Sequence, residues 1–95
     1  MVDLSKGNDG RHRVYVLRLK NGDLYVGSTA KSIEERAEQH RVGLNAARAC
    51  KRHGVERVEH RLCLNKCFAT REKAQAVERK LAEDLRRKHS VVHQG

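Results

Sequence analysis

A short hairpin is the feature that most constrains the fold of this 95-residue chain. Residues 14–19 (VYVLRL) and 24–28 (LYVGS) both have the apolar composition of strands, and an Asn-Gly dipeptide lies between them. Asn-Gly between two such runs is a strong signal for a hairpin. The hairpin therefore carries the only two tyrosines of the chain, Tyr15 and Tyr25.

The length of the hairpin loop decides where the two tyrosine rings point. A two-residue loop, Asn21 and Gly22, would put the rings on opposite faces of the hairpin. A three-residue loop that also includes Lys20, closed by a G1 bulge, shifts the pairing by one residue and puts both rings on one face. We predict the three-residue loop, with a positive φ at Gly22.

A helix is predicted directly after the hairpin. Ser32 precedes Glu35 by three residues, which is the spacing of a capping box. The helix should therefore begin at about Ser32 and stop at Gly43, because glycine commonly ends a helix. Arg36 and His40 are one turn apart, so their side chains point the same way, on or beside the apolar face of this helix.

Both faces of the first strand, residues 11–19, are partly apolar, which indicates a sheet with helices packed against it. Length and patterning predict a single domain over residues 11–95 and a flexible leader over residues 1–10. The other predicted elements are a helix over residues 45–53, a third strand over residues 55–64, a last helix from the N-cap Thr70 to about residue 89, and a short extended tail at Val91 and Val92.

The charge of the chain favours a polyanionic partner. It has 21 Lys and Arg against 12 Asp and Glu, a formal net charge of +9 and a pI near 10.0, as expected of a protein that binds nucleic acid. Two tyrosines, one phenylalanine and no tryptophan are too few for the row of aromatic side chains on which single-strand binders stack bases. We expect nucleic-acid contacts at Arg13, Gly27, Ser28, Lys31, Arg48 and Arg52.

The cysteines and the first residues of the chain bear on its location. Three cysteines, an odd number, without a secretory signal predict reduced thiols in a cytoplasmic protein. No apolar run approaches the length that spans a membrane, so we expect no membrane contact. A zinc site made of Cys50, His60, Cys63 and Cys67 is a weaker alternative, because the spacing lacks paired cysteines. Small core positions suit Cys63 and Cys67 better.

Glu78 has the most informative position of the acidic residues. At 100° per residue it falls inside the apolar stripe of the last helix, near Leu81 and Leu85. An ionised carboxylate that faces a core costs several kcal/mol unless it is paired or bound to a cation. Two interpretations follow, a metal ligand at the floor of a site or an internal ion pair with Arg36 or another cation.

The order and spacing of these residues resemble those of the GIY-YIG nuclease superfamily. The resemblance extends over residues 13–89 and is that of a stand-alone catalytic domain. The residues that carry it are Arg13, Val14 and Tyr15 on the first strand, Tyr25, Val26 and Gly27 on the second, Arg36 and His40 on the first helix, and Glu78 on the last. Arg13 stands where the first motif of the family has glycine, and the late asparagine of the family has no clear counterpart.

The resemblance implies a fold and a reaction. The fold is an α/β (α+β) domain with a small three-stranded antiparallel sheet flanked by helices. The reaction is hydrolysis of one DNA strand with a divalent metal ion, Mg²⁺ or Mn²⁺, bound by Glu78. Tyr15 is implied as the general base, Tyr25 as the group that orients water and phosphate, and Arg36 as the cation on the phosphate. His40 would hydrogen-bond Tyr15 or assist protonation steps, and all five side chains are expected on one face of the sheet.

Three functions are open at this point. The first is a metal-dependent endonuclease that nicks structured or single-stranded DNA with little sequence specificity. The second is a non-catalytic nucleic-acid-binding module that retains the fold. The third, a basic structural protein of a ribonucleoprotein, accounts for the charge but not for Glu78. Because no targeting domain is attached, we expect DNA structure, a homodimer or a partner protein to direct the protein to its substrate.

Overall fold

The computed structural model describes residues 12–43, 47–64, 66–89 and 91–94. The predicted leader, residues 1–10, lies outside them, as do Arg11 and Asn45 at the starts of the predicted first strand and second helix. The described elements form a mixed α+β fold. In chain order they are β1 (His12–Leu19), β2 (Leu24–Thr29), α1 (Ile33–Val42), α2 (Arg48–His53), β3 (Val55–Val58), β4 (Cys67–Phe68), α3 (Arg71–Arg86) and β5 (Val92–Gln94).

The five described strands form one sheet, in which β1 has the most partners. β1 pairs antiparallel with β2 on one side and with β3 and β4 on the other, and β2 pairs in parallel with β5. The predicted three-stranded antiparallel sheet is therefore wrong in strand number and in strand direction. The extra outer strand forms because the chain returns after α3 along β2, where Val92 is buried in the core under that helix.

The third strand is shorter than predicted. β3 stops at Val58, so that only the first four residues of the predicted strand over residues 55–64 are extended. The chain turns immediately afterwards, because the N–H groups of Leu62 and Cys63 donate to the carbonyl of Glu59 at 2.9 and 3.2 Å. A helical turn of this kind satisfies the backbone locally and interrupts the regular pairing with β1.

The hairpin has the three-residue loop that we predicted. The N–H of Leu19 donates to the carbonyl of Asp23 at 2.8 Å, and the N–H of Gly22 donates to the carbonyl of Leu19 at 2.9 Å. Gly22 has a φ of 94°, as expected at the left-handed position of a G1 bulge. Tyr25 consequently pairs with Leu17. The prediction that both tyrosines share one face of the sheet is confirmed.

The two faces of the sheet hold separate cores. The tyrosine face packs against α1 and α2, where the buried apolar residues are Tyr15, Leu17, Leu19, Tyr25, Ala37, Cys50 and Val55. The opposite face packs against α3, where they are Val14, Val16, Leu24, Val26, Ala74, Ala82, Leu85 and Val92. Glu78 is one of the buried residues of α3, so the expectation that it shares the tyrosine face is wrong. The apolar stripe of α3 covers the valine-rich face and carries Glu78 with it.

The helix starts agree with the capping prediction. Ser32 Oγ and Thr70 Oγ1 each accept a hydrogen bond from the N–H three residues on, at 3.1 and 3.2 Å. Gly43 ends α1 with a φ of 84°, as predicted, whereas α3 ends at Arg86, earlier than predicted. No helix within the described ranges is long and apolar enough to cross a membrane.

The three cysteines are free thiols in different environments. Cys50 is buried and Cys63 is half-buried against both cores, which confirms a core position for Cys63. Cys67 is exposed, so the core position predicted for it is wrong, because β4 covers only the start of β1. Within the part of the chain that the structure describes, no cysteine belongs to a group of metal-ligating side chains.

Candidate active site

Two phenols and an imidazole form a buried cluster on the tyrosine face. Tyr15, Tyr25 and His40 are 1%, 5% and 1% exposed, and their ring centroids lie 5.2 to 6.2 Å apart. Tyr15 Oη and His40 Nε2 are 2.9 Å apart. The register of the hairpin and the position of His40 on α1 together bring the three rings to one place, and His40 and Tyr15 are hydrogen-bonded.

The backbone fixes the tautomer of His40. The N–H of Ala47, at the N-cap of α2, donates to His40 Nδ1 at 3.2 Å, so this nitrogen carries no proton. Burial, reinforced by the charge of Arg36, lowers the pKa of His40 to about 4, which leaves the ring neutral at pH 7. The single ring proton is therefore on Nε2, and the imidazole donates to the oxygen of Tyr15. His40 in this state does not accept the proton of Tyr15.

Burial opposes ionisation of both phenols. It raises the pKa of Tyr15 well above the ordinary tyrosine value, and the neighbouring Tyr25 adds to the rise. It also raises the pKa of Tyr25 to about 12. Arg36 acts in the opposite direction, because its charge and its hydrogen bond to Tyr15 lower the pKa of that phenol. A phenolate at Tyr15 therefore depends on positive charge nearby.

Gly27 makes room for the tyrosine rings. It is the cross-strand partner of Tyr15, and a Cβ atom at this position would lie 2.6 Å from Tyr15 Oη, 2.8 Å from its Cζ and 3.0 Å from Tyr25 Cε2. Favourable contacts between carbon atoms are about 3.5–4.0 Å. Gly27 was expected to allow close approach of nucleic acid, but the space beside it is filled by the two phenols.

Glu78 lies on α3, on the opposite face of the sheet from the phenols. It is 2% exposed, Gln94 Nε2 donates to its Oε2 at 3.1 Å, and the Ser28 hydroxyl also hydrogen-bonds the carboxylate. Burial raises the pKa of Glu78, and these two hydrogen bonds and the charge of Arg79 only partly offset the rise. None of the ion pairs between described residues includes Glu78, so the internal ion pair with Arg36 is not formed.

The layer formed by α1 and α2 and the layer formed by α3 come together at the end of β2. β5 covers the outer edge of β2 only as far as Val26, and no described strand pairs with that edge at residues 27–29. The charge of Glu78 contributes to the raised pKa of Tyr25, so the carboxylate acts on that phenol although it lies on the other face of the sheet. The candidate site is therefore at the uncovered end of β2, beside Gly27.

Gln94 is a site residue that the sequence analysis missed. It supplies a side-chain amide to Glu78 because β5 runs parallel to β2 and pairs Gln94 with Val26. The sequence offers only a weak signal, a polar residue two positions after the apolar Val92. The parallel pairing that directs the amide to the carboxylate joins residues far apart in the chain, so no local pattern predicts it.

A basic cavity adjoins the candidate site. It has a volume of about 480 Å³, and its lining includes Tyr25, Gln94 and the arginines Arg48, Arg52 and Arg86. The guanidinium of Arg86 donates two hydrogen bonds to the carbonyl of Val92, at 3.1 and 3.3 Å. Arg48 and Arg52 were expected to contact nucleic acid, and both of them line the same cavity as Tyr25. Arg48 and Arg52 beside one cavity suit the phosphate backbone of a nucleic acid.

Arg13 and Lys31, two other expected nucleic-acid contacts, lie elsewhere. Arg13 is held between Thr29 of β2 and Cys67 of β4, and its Nη1 is buried with no hydrogen-bond partner among the described residues. It lines a separate cavity of about 220 Å³ together with Lys66. Lys31 is exposed between β2 and α1. Neither side chain lines the basic cavity beside Tyr25.

Glu78 is the residue that fits the implied divalent cation. Mg²⁺ prefers oxygen ligands and usually keeps several waters while one or two carboxylates bind it, and Mn²⁺ has similar preferences. Glu78 offers a buried carboxylate whose charge no described ion pair balances. Gln94 and Ser28 orient that carboxylate through neutral hydrogen bonds. The chemistry of these groups therefore suits such an ion.

The neutral state of His40 predicts how stability depends on pH. The pKa of His40 falls from 6.5 to about 4 in the folded protein, so the folded form binds fewer protons than the unfolded form in this range. Its contribution to stability is complete above pH 6.5 and is lost as the pH falls toward 4. That contribution is about 3 kcal/mol. The free energy of unfolding can be measured with urea at pH 6.5 and at pH 4, the two pKa values of His40. Between these pH values it should fall less for His40→Gln than for the wild type.

His60→Gln provides the control for this measurement, because His60 is exposed and lies outside the cluster. This variant should lose as much stability as the wild type when the pH is lowered. Comparing the variants with the wild type also removes the opposite contribution of Glu78, whose raised pKa favours the folded state in acid. An equal loss in His40→Gln and in the wild type would contradict a neutral, buried His40.

Gly27→Ala should disturb both phenols. The new methyl group would collide with buried rings, and overpacking of this kind costs about 1–3 kcal/mol. In a Tyr15→Phe background the nearest atom, the phenol oxygen, is absent, so the same substitution should cost less. Chemical denaturation of the four proteins in this double-mutant cycle measures the difference. An identical cost in both backgrounds would show that the phenol does not require the glycine.

Comparison with known proteins assigns the chain to a family. A family model for the GIY-YIG catalytic domain matches residues 11–90 of the chain. No curated protein and no solved structure matches it. The matched range includes all five predicted catalytic residues and ends before β5. GIY-YIG domains are generally endonucleases, so the match suggests a nuclease-type function. On the extent of this match, the chain belongs to the GIY-YIG family.

Proposed function

We propose that this protein is a metal-dependent endonuclease that hydrolyses DNA phosphodiester bonds, one strand per active site. The family match and the net charge of +9 support this proposal. The observation that carries it is the hydrogen bond from His40 Nε2 to Tyr15 Oη. Because the phenol of Tyr15 accepts a hydrogen bond from the imidazole of His40, it can still lose its own proton. The phenolate that results keeps the hydrogen bond from His40.

Tyr15 acts as the general base in the proposed reaction. Its phenolate takes a proton from water as the water oxygen forms a bond to phosphorus. The bond between phosphorus and one sugar oxygen breaks, and that oxygen takes up a proton from solvent. His40 and Arg36 both stabilise the phenolate relative to the phenol, since each presents a hydrogen-bond donor to the same oxygen.

Arg36 and Tyr25 act on the phosphate in this proposal. The planar guanidinium of Arg36 carries several donors that match phosphate oxygens, and it would stabilise the charge that grows on them in the transition state. Tyr25 lies close to Tyr15, with ring centroids 6.2 Å apart. Its pKa of about 12 keeps it protonated at pH 7, so its hydroxyl group can donate to the attacking water or to the phosphate.

Glu78 would hold the divalent cation, Mg²⁺ or Mn²⁺. Such an ion supplies Lewis-acid stabilisation of phosphate charge when it is bound. Gln94 and Ser28 keep the carboxylate oriented, which preserves its position between the two layers of the fold. Removing the carboxylate charge would remove the ligand but would not weaken phosphate contacts made elsewhere.

DNA is the proposed substrate, and the basic cavity is its proposed contact surface. Arg48 and Arg52 beside this cavity would bind the phosphate backbone of DNA, and backbone contacts carry no base information. Little sequence specificity is therefore expected from this domain. The shape of structured or single-stranded DNA, a homodimer or a partner protein would select the cleavage site. Three free thiols suit a reducing compartment such as the cytoplasm.

Glu78→Gln should abolish nicking of supercoiled plasmid in the presence of Mg²⁺ or Mn²⁺. The amide keeps the shape of the side chain but is a poor cation ligand, so turnover should fall by at least about 100-fold. DNA affinity, measured in a gel-shift assay without cleavage, should stay similar or increase. Glu83→Gln, an exposed acid on the same helix, should nick like the wild type.

Two outcomes would contradict this proposal. Nicking that survives in Glu78→Gln would remove the carboxylate from the mechanism. A wild-type protein that binds DNA but cleaves none of the structured, single-stranded and supercoiled substrates would favour the non-catalytic binding module instead.

Arg36→Ala should reduce kcat by about 10²–10³-fold with little effect on DNA affinity, because a group that acts on transition-state charge contributes mainly to turnover. Arg52→Ala is the matched comparison, since Arg52 lines the basic cavity and is exposed. That variant should bind DNA more weakly, and lower salt should restore its activity. If lower salt also restores Arg36→Ala, Arg36 is a backbone contact rather than a catalytic residue.

A further inference from the structure

A second group of metal-ligating side chains is separate from Glu78. Asp23 after the hairpin loop, His53 at the end of α2 and His93 in β5 each offer one ligand atom, and these atoms lie within 4.8 Å of one another. His93 Nε2 is 3.0 Å from Asp23 Oδ2, and the centroids of the two imidazole rings are 5.9 Å apart. All three residues are half-buried. Three elements that are distant in sequence thus converge on one point.

An ion pair between Asp23 and His93 does not account for the whole group. His53 joins it without a hydrogen bond to any other described residue, and its ring packs beside that of His93. Asn21 holds the carboxylate in place, because its Nδ2 donates to Asp23 Oδ2 at 3.0 Å and its Oδ1 accepts from the Asp23 N–H at 3.1 Å. Outer contacts of this kind orient the ligands of metal sites.

The chemistry of the group points to a different ion from the one proposed at Glu78. Imidazole suits zinc, copper, iron and nickel, whereas magnesium prefers oxygen ligands alone. Zinc lies about 2.0–2.1 Å from each ligand, which puts tetrahedral ligand atoms about 3.3 Å apart. The ligand atoms here all lie within 4.8 Å of one another, so small rotations of half-buried side chains can bring them to the tetrahedral spacing.

We propose that Asp23, His53 and His93 bind a divalent transition-metal ion of the zinc class, and that this ion fastens β5 to the hairpin. β5 has three residues and pairs only with β2 among the described strands, so it gains little stability from pairing alone. Gln94 follows His93 directly and donates to Glu78. The ion would therefore also steady the contact that orients Glu78. Metal binding itself does not depend on the proposed nuclease activity.

Cobalt is a suitable spectroscopic probe of this site. The full chain, stripped of metal, is titrated with Co²⁺ while its visible absorption is recorded, and bound Co²⁺ is then displaced with Zn²⁺. The titration is carried out in excess Mg²⁺, which would occupy the site proposed at Glu78. We then expect one Co²⁺ ion per chain and a spectrum of nitrogen and oxygen ligands. Zn²⁺ should also raise the unfolding temperature and slow hydrogen exchange at the amides of β5, because a ligand bound only by the folded state stabilises it.

His53→Gln is the sharpest variant because it leaves the Asp23–His93 pair intact. It should weaken Co²⁺ binding at least about tenfold, since loss of even an outer contact costs about 10- to 100-fold in metal affinity. Asp23→Asn, which keeps a hydrogen-bonding group beside His93, should weaken it similarly. The exposed His60→Gln should bind Co²⁺ like the wild type.

The outcomes separate this site from the nuclease proposal. Glu78→Gln and excess Mg²⁺ should leave Co²⁺ binding unchanged, even if the protein cleaves no DNA. The proposal is overturned if no saturable binding occurs, or if His53→Gln and Asp23→Asn bind Co²⁺ as tightly as His60→Gln. Charge-transfer absorption from thiolate ligands would also overturn it, because that would assign the ion to a cysteine such as the exposed Cys67.

Discussion

The pairing of Tyr15 with Gly27 is the contact on which the rest of the site depends. A three-residue loop sets this register, and a slip of one residue would turn one ring to the opposite face of the sheet. The missing side chain at Gly27 then lets the Tyr15 ring lie over the neighbouring strand, against Tyr25. α1 completes the cluster, because its cap at Ser32 fixes where His40 meets the phenols.

Burial shifts the pKa values of three titratable groups of the candidate site in the direction that favours their neutral forms. It raises the pKa values of Tyr15 and Glu78 and lowers that of His40, since a low-dielectric environment disfavours every charge. Arg36 lies beside the phenols on α1 and lowers the pKa of Tyr15. A cation at the carboxylate and an anionic phosphate at the guanidinium would each find a partner there.

The sheet connects two cores that would otherwise be independent. The phenols belong to the core under α1 and α2, whereas Glu78 belongs to the core under α3. They come together where β2 extends beyond β5, and the short β5 supplies Gln94 to the carboxylate. A small domain thus builds its site at the end of one strand, where both layers can reach the same space. The orientation of Glu78 therefore depends on the position of β5, a strand of only three residues.

Local chemistry in the sequence determined the hairpin, its loop length, the helix caps and the identity of the clustered side chains. These features depend on neighbours within a few residues, as at Gly22, where a positive φ requires glycine, and at Ser32, whose oxygen binds an N–H of the next turn. Only the tertiary structure decided that Glu78 lies across the sheet, that β5 runs parallel to β2, and that Asp23 meets two histidines. Those arrangements follow from how whole elements bury their apolar faces. Helical periodicity shows which face of α3 is buried, but it does not show which side of the sheet that face packs against.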